Sequence, residues 1–232
     1  MRYLEAEATL ARAERIAVLD QDWDRLARLY MPLQEARRQR RQRCGEGVVC
    51  LDLLAEGPGD HFEARHVLEH YSHGQLLVAG WGTIQPALRV REMAAAHGLY
   101  VETFLAATYP VGGSRAVVIV PTAGVALPTP ESQSIDHLIT RLPPHCIVLA
   151  ESELPRGSRR GTYETYGEVM AMWERLHLPF LTAADSTPDL RQRIDAYRQT
   201  IRVDYACELA HQRLSDTAHQ LARAQVPAVG GG

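Results

Sequence analysis

Four histidines fall within the segment HFEARHVLEHYSH, which begins at His61. On a helix, His66 and His70 lie one turn apart on the same face, which is the spacing of paired metal ligands. With Glu69 they also form H-x-x-E-H, the inverted zinc-protease motif. No other segment supplies an obvious third ligand, and ten histidines among 28 acidic residues produce such matches by chance. We therefore favour a polar helix facing solvent over a metal site, and keep His66 and His70 as the candidate ligands.

A glycine-containing turn, Gly80-Trp-Gly82-Thr83-Ile-Gln-Pro86, joins an apolar run to a helical pattern. In a parallel sheet, ligands bind where strands end and helices present free N–H groups. Gly80 and Gly82 would let a ligand approach the backbone, and Thr83 could cap the helix or donate to an anion. Because the full G-x-G-x-x-G is absent, no dinucleotide fingerprint exists. The alternative, which we favour, is a tight turn that simply requires glycine.

Glu151 follows the last apolar run of the central region. If that strand runs in the same direction as the second one, Glu151 opens on the same edge of the sheet as Gly80. A carboxylate there is a candidate general acid or base, or a ribose contact. Alternatively, the strand simply ends at the protein surface, which explains a glutamate at position 151 equally well.

The composition excludes several classes of enzyme. All 25 basic residues are arginines, and neither lysine nor asparagine occurs, as expected of a GC-rich bacterial genome. Without lysine the chain has no Walker-type phosphate lysine, no kinase-type ATP lysine and no anchor for pyridoxal phosphate. We predict no cofactor. The four cysteines form no C-x-x-C pair, and no apolar run approaches the roughly 18 residues of a membrane span, so we predict a cytoplasmic protein with reduced thiols and no membrane contact.

Five arginines between residues 37 and 43 could contact phosphate, RNA or an acidic partner. They lack interleaved aromatic residues or glycines, the preceding helix is rich in acids, and the net charge of the chain is −3. We therefore expect a solvated helix end, favourably placed against the helix dipole, and no binding of nucleic acid.

The central region alternates β-branched runs with short helical patterns. This alternation predicts an α/β fold with a single, largely parallel sheet of about five strands. The turn at residues 110–113 is too short for a crossover, so the strands on either side should form one antiparallel hairpin. The predicted strands are 47–55, 75–80, 99–107, 115–120 and 145–151, with a possible short strand at 177–183, and the predicted helices are 61–72, 86–97 and 132–141.

Both ends of the chain are helical by pattern. The turn QDWDRLARLY within residues 8–37 resembles the tetratricopeptide helical hairpin, although Gln21 and Leu26 stand where that family has Gly and Ala. The run RIDAYRQTIRVDYACELAHQRLSD is similar to the second helix of one repeat followed by the first of the next. We predict an N-terminal helical hairpin (1–45), an α/β core (46–183), a C-terminal helical pair packed on the core (184–226) and a disordered tail (227–232).

Two functional hypotheses remain open. The first is a non-enzymatic interaction or adaptor protein, indicated by the tetratricopeptide resemblance, with a protein partner and an exposed groove lined by Trp23, Tyr30 or Tyr197. The second is an α/β enzyme that binds a phosphate- or nucleotide-like small molecule near Gly80 and Thr83. We favour the first, because no complete catalytic motif occurs.

Overall fold

The computed structural model describes residues 2–131 and 134–225, so the predicted tail at 227–232 lies outside the described residues. They form two compact units, one made of residues 2–40 with 177–225 and the other of residues 41–176. The helices of the described chain are α1 (Tyr3–Leu19), α2 (Trp23–Glu46), α3 (Ala64–His70), α4 (Gln85–Ala96), α5 (Ile135–Arg141), α6 (Tyr163–Asp185), α7 (Leu190–Val203) and α8 (Glu208–Gln225).

Residues 41–176 contain a single six-stranded mixed sheet with the strand order β5-β4-β3-β2-β1-β6. The α/β class and the single sheet are confirmed. The sheet is not largely parallel, because β1–β2 and β2–β3 pair in parallel whereas the other three pairings are antiparallel. The strands are β1 (Val48–Leu54), β2 (Gly74–Trp81), β3 (Val101–Val111), β4 (Ser114–Val120), β5 (Ile147–Ala150) and β6 (Arg159–Arg160).

The predicted hairpin at residues 110–113 is confirmed as the β3–β4 pair. Gly112 and Gly113 have φ values of 54° and 84°, in the left-handed region that tight hairpin turns require. The sixth strand, β6, is only two residues long and pairs with Val48 and Val49 at the edge of the sheet. Its sequence is Arg-Arg, which carries no strand pattern, and this explains why five strands were predicted.

Helices α3 and α4 connect β1 to β2 and β2 to β3, and both pack on the same face of the sheet. Their apolar residues, including Val67, Leu68 and Val90, meet inward-facing strand residues such as Leu76 and Leu105. Because strand side chains alternate between faces, Glu102 and Phe104 point to the opposite face of β3. There Phe104 stacks on Trp173 of α6, with ring centroids 4.3 Å apart.

Residues 2–40 and 177–225 form an all-helical unit with its own apolar core. Helices from both ends of the chain contribute to this core, with Leu26 and Leu33 from α2 and Leu214 and Leu221 from α8. The prediction of a possible short strand at 177–183 is wrong, because these residues lie within α6, which continues through Pro179 to Asp185.

Candidate functional site

An open groove runs along α4 in the unit of residues 41–176. Its volume is about 980 Å³. One wall is the segment 58–65, and the other is one face of α4, which presents residues at spacings of three and four. Since α4 has twelve residues, the groove follows it for roughly 18 Å. The lining residues are Pro58, Asp60, His61, Phe62, Glu63, Ala64, Arg65, Gly80, Trp81, Thr83, Gln85, Pro86, Arg89, Glu92, Met93, Ala96 and His97.

Gly80 and Thr83 lie at the end of this groove where β2 leaves the sheet. A Cβ on Gly80 would lie 2.7 Å from the carbonyl oxygen of Thr83, so glycine is needed for the turn to close. Gly82 has a φ of +61°, and a Cβ there would lie 2.6 Å from the ring of Pro130. The chain itself therefore occupies the space beside both glycines, as the tight-turn alternative requires.

The first turn of α4 offers few free donors to an anion. The backbone N–H of Gln85 donates to the Thr83 side-chain oxygen at 3.2 Å, and Pro86 has no N–H. The N–H of Leu88 donates to the carbonyl of Ile84. Thr83 thus acts as a local cap, which argues against a phosphate cradle at this helix end.

Glu151 lies away from the groove. It follows β5, which runs in the same sense as β2, so both strands end on the same edge of the sheet. Three strand spacings separate β5 from β2, or about 14 Å. The Glu151 carboxylate accepts two hydrogen bonds from Arg115, at 2.8 and 2.7 Å. These bonds lower the pKa of Glu151, which keeps it ionised and unsuited to acid–base work near neutral pH.

The strand order also bears on where a ligand could bind. In doubly wound sheets, ligands enter the crevice where the order of parallel strands reverses and helices leave on opposite faces. Here β1, β2 and β3 follow one another in a single direction, and α3 and α4 cover the same face. The groove is consequently a furrow beside α4 on one face of the sheet, not a crevice between two faces.

The histidine cluster lies on and beside α3, with His66 and His70 both exposed. Their ring centroids are 4.4 Å apart, and the Nδ1 of His70 lies 2.9 Å from the carbonyl oxygen of His66. Glu69 accepts a hydrogen bond from Arg65 on the same helix. Within residues 2–131 and 134–225, three or more potential metal ligands converge at His177, Asp204 and Cys207, and neither His66 nor His70 belongs to that group.

His177, Asp204 and Cys207 come from α6 and from the turn between α7 and α8. The Nδ1 of His177 lies 2.7 Å from Oδ2 of the fully buried Asp204. Burial alone would lower the pKa of His177, but hydrogen bonds to Asp204 and Cys207, with their charges, raise it to about 9. Sequence reasoning missed this cluster because His177 is distant in sequence from Asp204 and Cys207, and the three residues form no recognisable metal-binding motif.

The five arginines between residues 37 and 43 each contact a nearby acid. Arg37 and Arg40 both pair with Glu7, and the buried Arg41 pairs with Glu102. The other two pairs, both exposed, are Arg38 with Glu35 and Arg43 with Glu46. The expectation of a solvated helix end is therefore wrong for Arg41, which is buried, whereas Arg38 and Arg43 are exposed as expected. The expectation that the run binds no nucleic acid stays a prediction.

Trp23, Tyr30 and Tyr197 do not line an exposed groove, so that part of the adaptor hypothesis is wrong. All three side chains are buried in the apolar core of the helical unit. The hydroxyl of Tyr30 donates to Glu14 at 2.8 Å, and that of Tyr197 donates to Asp185 at 2.7 Å. These aromatic side chains therefore belong to the core of the helical unit, and the two tyrosine hydroxyls have hydrogen-bond partners within that unit.

Comparisons with protein-family models, with curated protein sequences and with solved structures find no match. The tetratricopeptide resemblance of the two ends stays a prediction. Among the described helices, none has both the length and the apolar character needed to span a bilayer.

Proposed function

We propose that the protein is a non-enzymatic interaction protein, and that the groove along α4 holds a segment of a partner protein. The observation that carries this proposal is the shape of the groove, which is open and follows α4 for roughly 18 Å. That length matches three turns of a partner helix or about five residues of an extended strand. Amphipathic helices bind other proteins in grooves of this kind.

The chemistry of the groove fits a segment with apolar and charged positions. Phe62, Trp81 and Met93 are partly exposed and line the groove. Arg89 and Glu92 lie on the exposed surface of α4 along the same wall. A partner helix would place apolar side chains against the first set, while charges on its flanks meet the second. Charged rims of both signs set the orientation of a partner more than its affinity.

The small-molecule hypothesis is the second candidate, and one observation favours it. Trp81 and Thr83 lie together at the strand end of the groove, where an aromatic face and a hydroxyl could hold a flat polar ligand. Glu151 is a poor catalytic group for such an enzyme, because it is paired with Arg115 and follows β5, three strands away from β2.

Ala95 and Ala96 offer a matched test of the peptide hypothesis. Both are exposed alanines in the last turn of α4, but only Ala96 lines the groove. Peptides are selected from a random display library on the wild-type chain, and their affinities are measured for Ala96→Arg and Ala95→Arg. We expect Ala96→Arg to weaken binding at least tenfold, and Ala95→Arg to change it by less than about twofold, since it leaves the groove open.

Failure to select any peptide, or equal affinities for the two variants, would contradict the proposal. The small-molecule candidate is tested in parallel through Trp81 fluorescence. Trp23 and Trp173 are buried, so ligand-dependent quenching reports mainly on Trp81. Quenching by nucleotides or phosphosugars, in the absence of any peptide binding, would favour that candidate instead.

A further inference from the structure

A buried cluster in the helical unit combines three different metal-ligating side chains. His177 lies on α6, Asp204 directly follows α7, and Cys207 directly precedes α8. Their ligand atoms all lie within 4.8 Å of one another. From this convergence we infer that His177, Asp204 and Cys207 form a binding site for a divalent transition metal of the zinc class.

The turn between α7 and α8 holds two of these residues in place. The backbone N–H of Cys207 donates to the carbonyl of Asp204 at 3.1 Å. One carboxylate oxygen of Asp204 accepts from the N–H of Ala206 at 3.1 Å, and the other faces His177. The carboxylate is thereby fixed in orientation before any ion binds, which is the preorganisation that a metal site requires.

The spacing of the donor atoms is close to that of a tetrahedral site. Zinc bonds of about 2.0–2.3 Å to nitrogen, oxygen and sulfur place neighbouring ligands about 3.3–3.8 Å apart. The Nδ1 of His177 and Oδ2 of Asp204 lie 2.7 Å apart, and the widest separation in the cluster is within 4.8 Å. Shifts of about 1 Å therefore convert the hydrogen-bonded cluster into a coordination shell.

The donor set selects the kind of metal. A thiolate, an imidazole and a carboxylate suit Zn²⁺ or Co²⁺, whereas Mg²⁺ and Ca²⁺ prefer shells made entirely of oxygen. On binding, the metal takes the place of the thiol proton of Cys207 and of the proton between His177 and Asp204, and both protons are released to solvent. The side chain of His177 is 12% exposed and that of Asp204 is fully buried, so we expect the ion to enter past the imidazole and a water molecule to complete the shell as fourth ligand.

The same contacts also tie α6 to the α7–α8 turn without a metal, so the test must separate the two roles. The metal-free protein is titrated with Co²⁺, whose visible spectrum reports tetrahedral geometry and whose ultraviolet charge-transfer band requires a thiolate ligand. We expect one Co²⁺ per chain with both features, and displacement of Co²⁺ by Zn²⁺. Cys207→Ser should abolish the charge-transfer band, and Cys146→Ser, a control in the other unit, should retain the wild-type spectrum.

His177→Gln retains a hydrogen-bond donor for Asp204 but loses the imidazole ligand. It should weaken Co²⁺ binding by at least about tenfold. Because it also leaves the buried Asp204 without its cationic partner, it should lower the thermal midpoint of the metal-free protein, and Co²⁺ binding is therefore measured well below that midpoint. X-ray absorption of the zinc-loaded wild type needs no variant, and it should show one sulfur neighbour among nitrogen and oxygen neighbours. Absence of Co²⁺ uptake, a charge-transfer band that survives Cys207→Ser, or a zinc shell without sulfur would each overturn the inference.

Discussion

The buried pair between Arg41 and Glu102 provides a quantitative test of how the sheet unit is held together. The two side chains are 2% and 4% exposed. One carboxylate oxygen of Glu102 accepts from Nε and Nη2 of Arg41, at 3.2 and 2.7 Å, and the other accepts from Gln75 at 3.0 Å. Glu102→Gln keeps the shape of the side chain and removes the charge that compensates Arg41.

The expected loss follows from this geometry. In the variant, the new amide oxygen still accepts from Arg41, and the Gln75 amide can turn to accept from the new amide nitrogen. Hydrogen bonding is thus largely kept, and the cost is that of a buried guanidinium without its carboxylate. Removing one partner of a buried ion pair destabilises proteins by about 3–5 kcal/mol. We expect Glu102→Gln to lower the free energy of unfolding by that amount.

The measurement is urea unfolding followed by intrinsic fluorescence in a Trp23→Phe, Trp81→Phe background, which leaves Trp173 as the emitting tryptophan. Trp173 is a local probe, because the Arg41 guanidinium lies 4.8 Å from its ring centroid and Phe104 stacks on it. Glu69→Gln is the matched control in the same unit, since the partner of Glu69, Arg65, is exposed. The control should cost less than about 1 kcal/mol.

Replacing both partners, as in Arg41→Met with Glu102→Met, should restore most of the stability, because no buried charge is then left uncompensated. A loss below about 1 kcal/mol for Glu102→Gln, with an unchanged urea slope, would refute this reasoning. A double variant that is no more stable than Glu102→Gln would refute it as well.

Three further predictions concern other parts of the chain. Burial lowers the pKa of His211 from 6.5 to about 4, so the unfolded chain binds a proton between those pH values that the folded chain does not. The free energy of unfolding should therefore fall by up to about 3 kcal/mol as the pH decreases from 6.5 to 4, and His211→Gln should remove that slope in urea titrations. Gly82→Ala should lower the stability in thermal unfolding more than Gly112→Ala. Both glycines have positive φ, a conformation that costs an alanine about 1–2 kcal/mol, but only at Gly82 would the new Cβ also meet a proline ring. Joint replacement of His66 and His70 by alanine should leave Co²⁺ uptake unchanged. Loss of uptake in this variant would show that the metal binds at α3 instead of at His177, Asp204 and Cys207.

The part of the fold that sequence reasoning predicted depends on local patterns. Apolar runs alternating with helical periodicity identified β1 to β4 together with α3 and α4, and the short turn at Gly112 and Gly113 identified the antiparallel hairpin. These features are encoded within ten or so consecutive residues. The same logic failed for residues 177–183, where an apolar stretch containing Pro179 resembles a strand but continues a helix. Helix packing in three dimensions outweighs local propensity there.

What the sequence by itself determined is the α/β class and the order of most elements. Only the tertiary structure decided that β5 and β6 join the sheet in antiparallel fashion, that Arg41 is buried against Glu102, and that His177 meets Asp204 and Cys207. Each of these contacts joins residues far apart in the chain. Periodicity describes which face of one element is apolar, but strand partners and side-chain clusters depend on how separate elements pack, which no local pattern records.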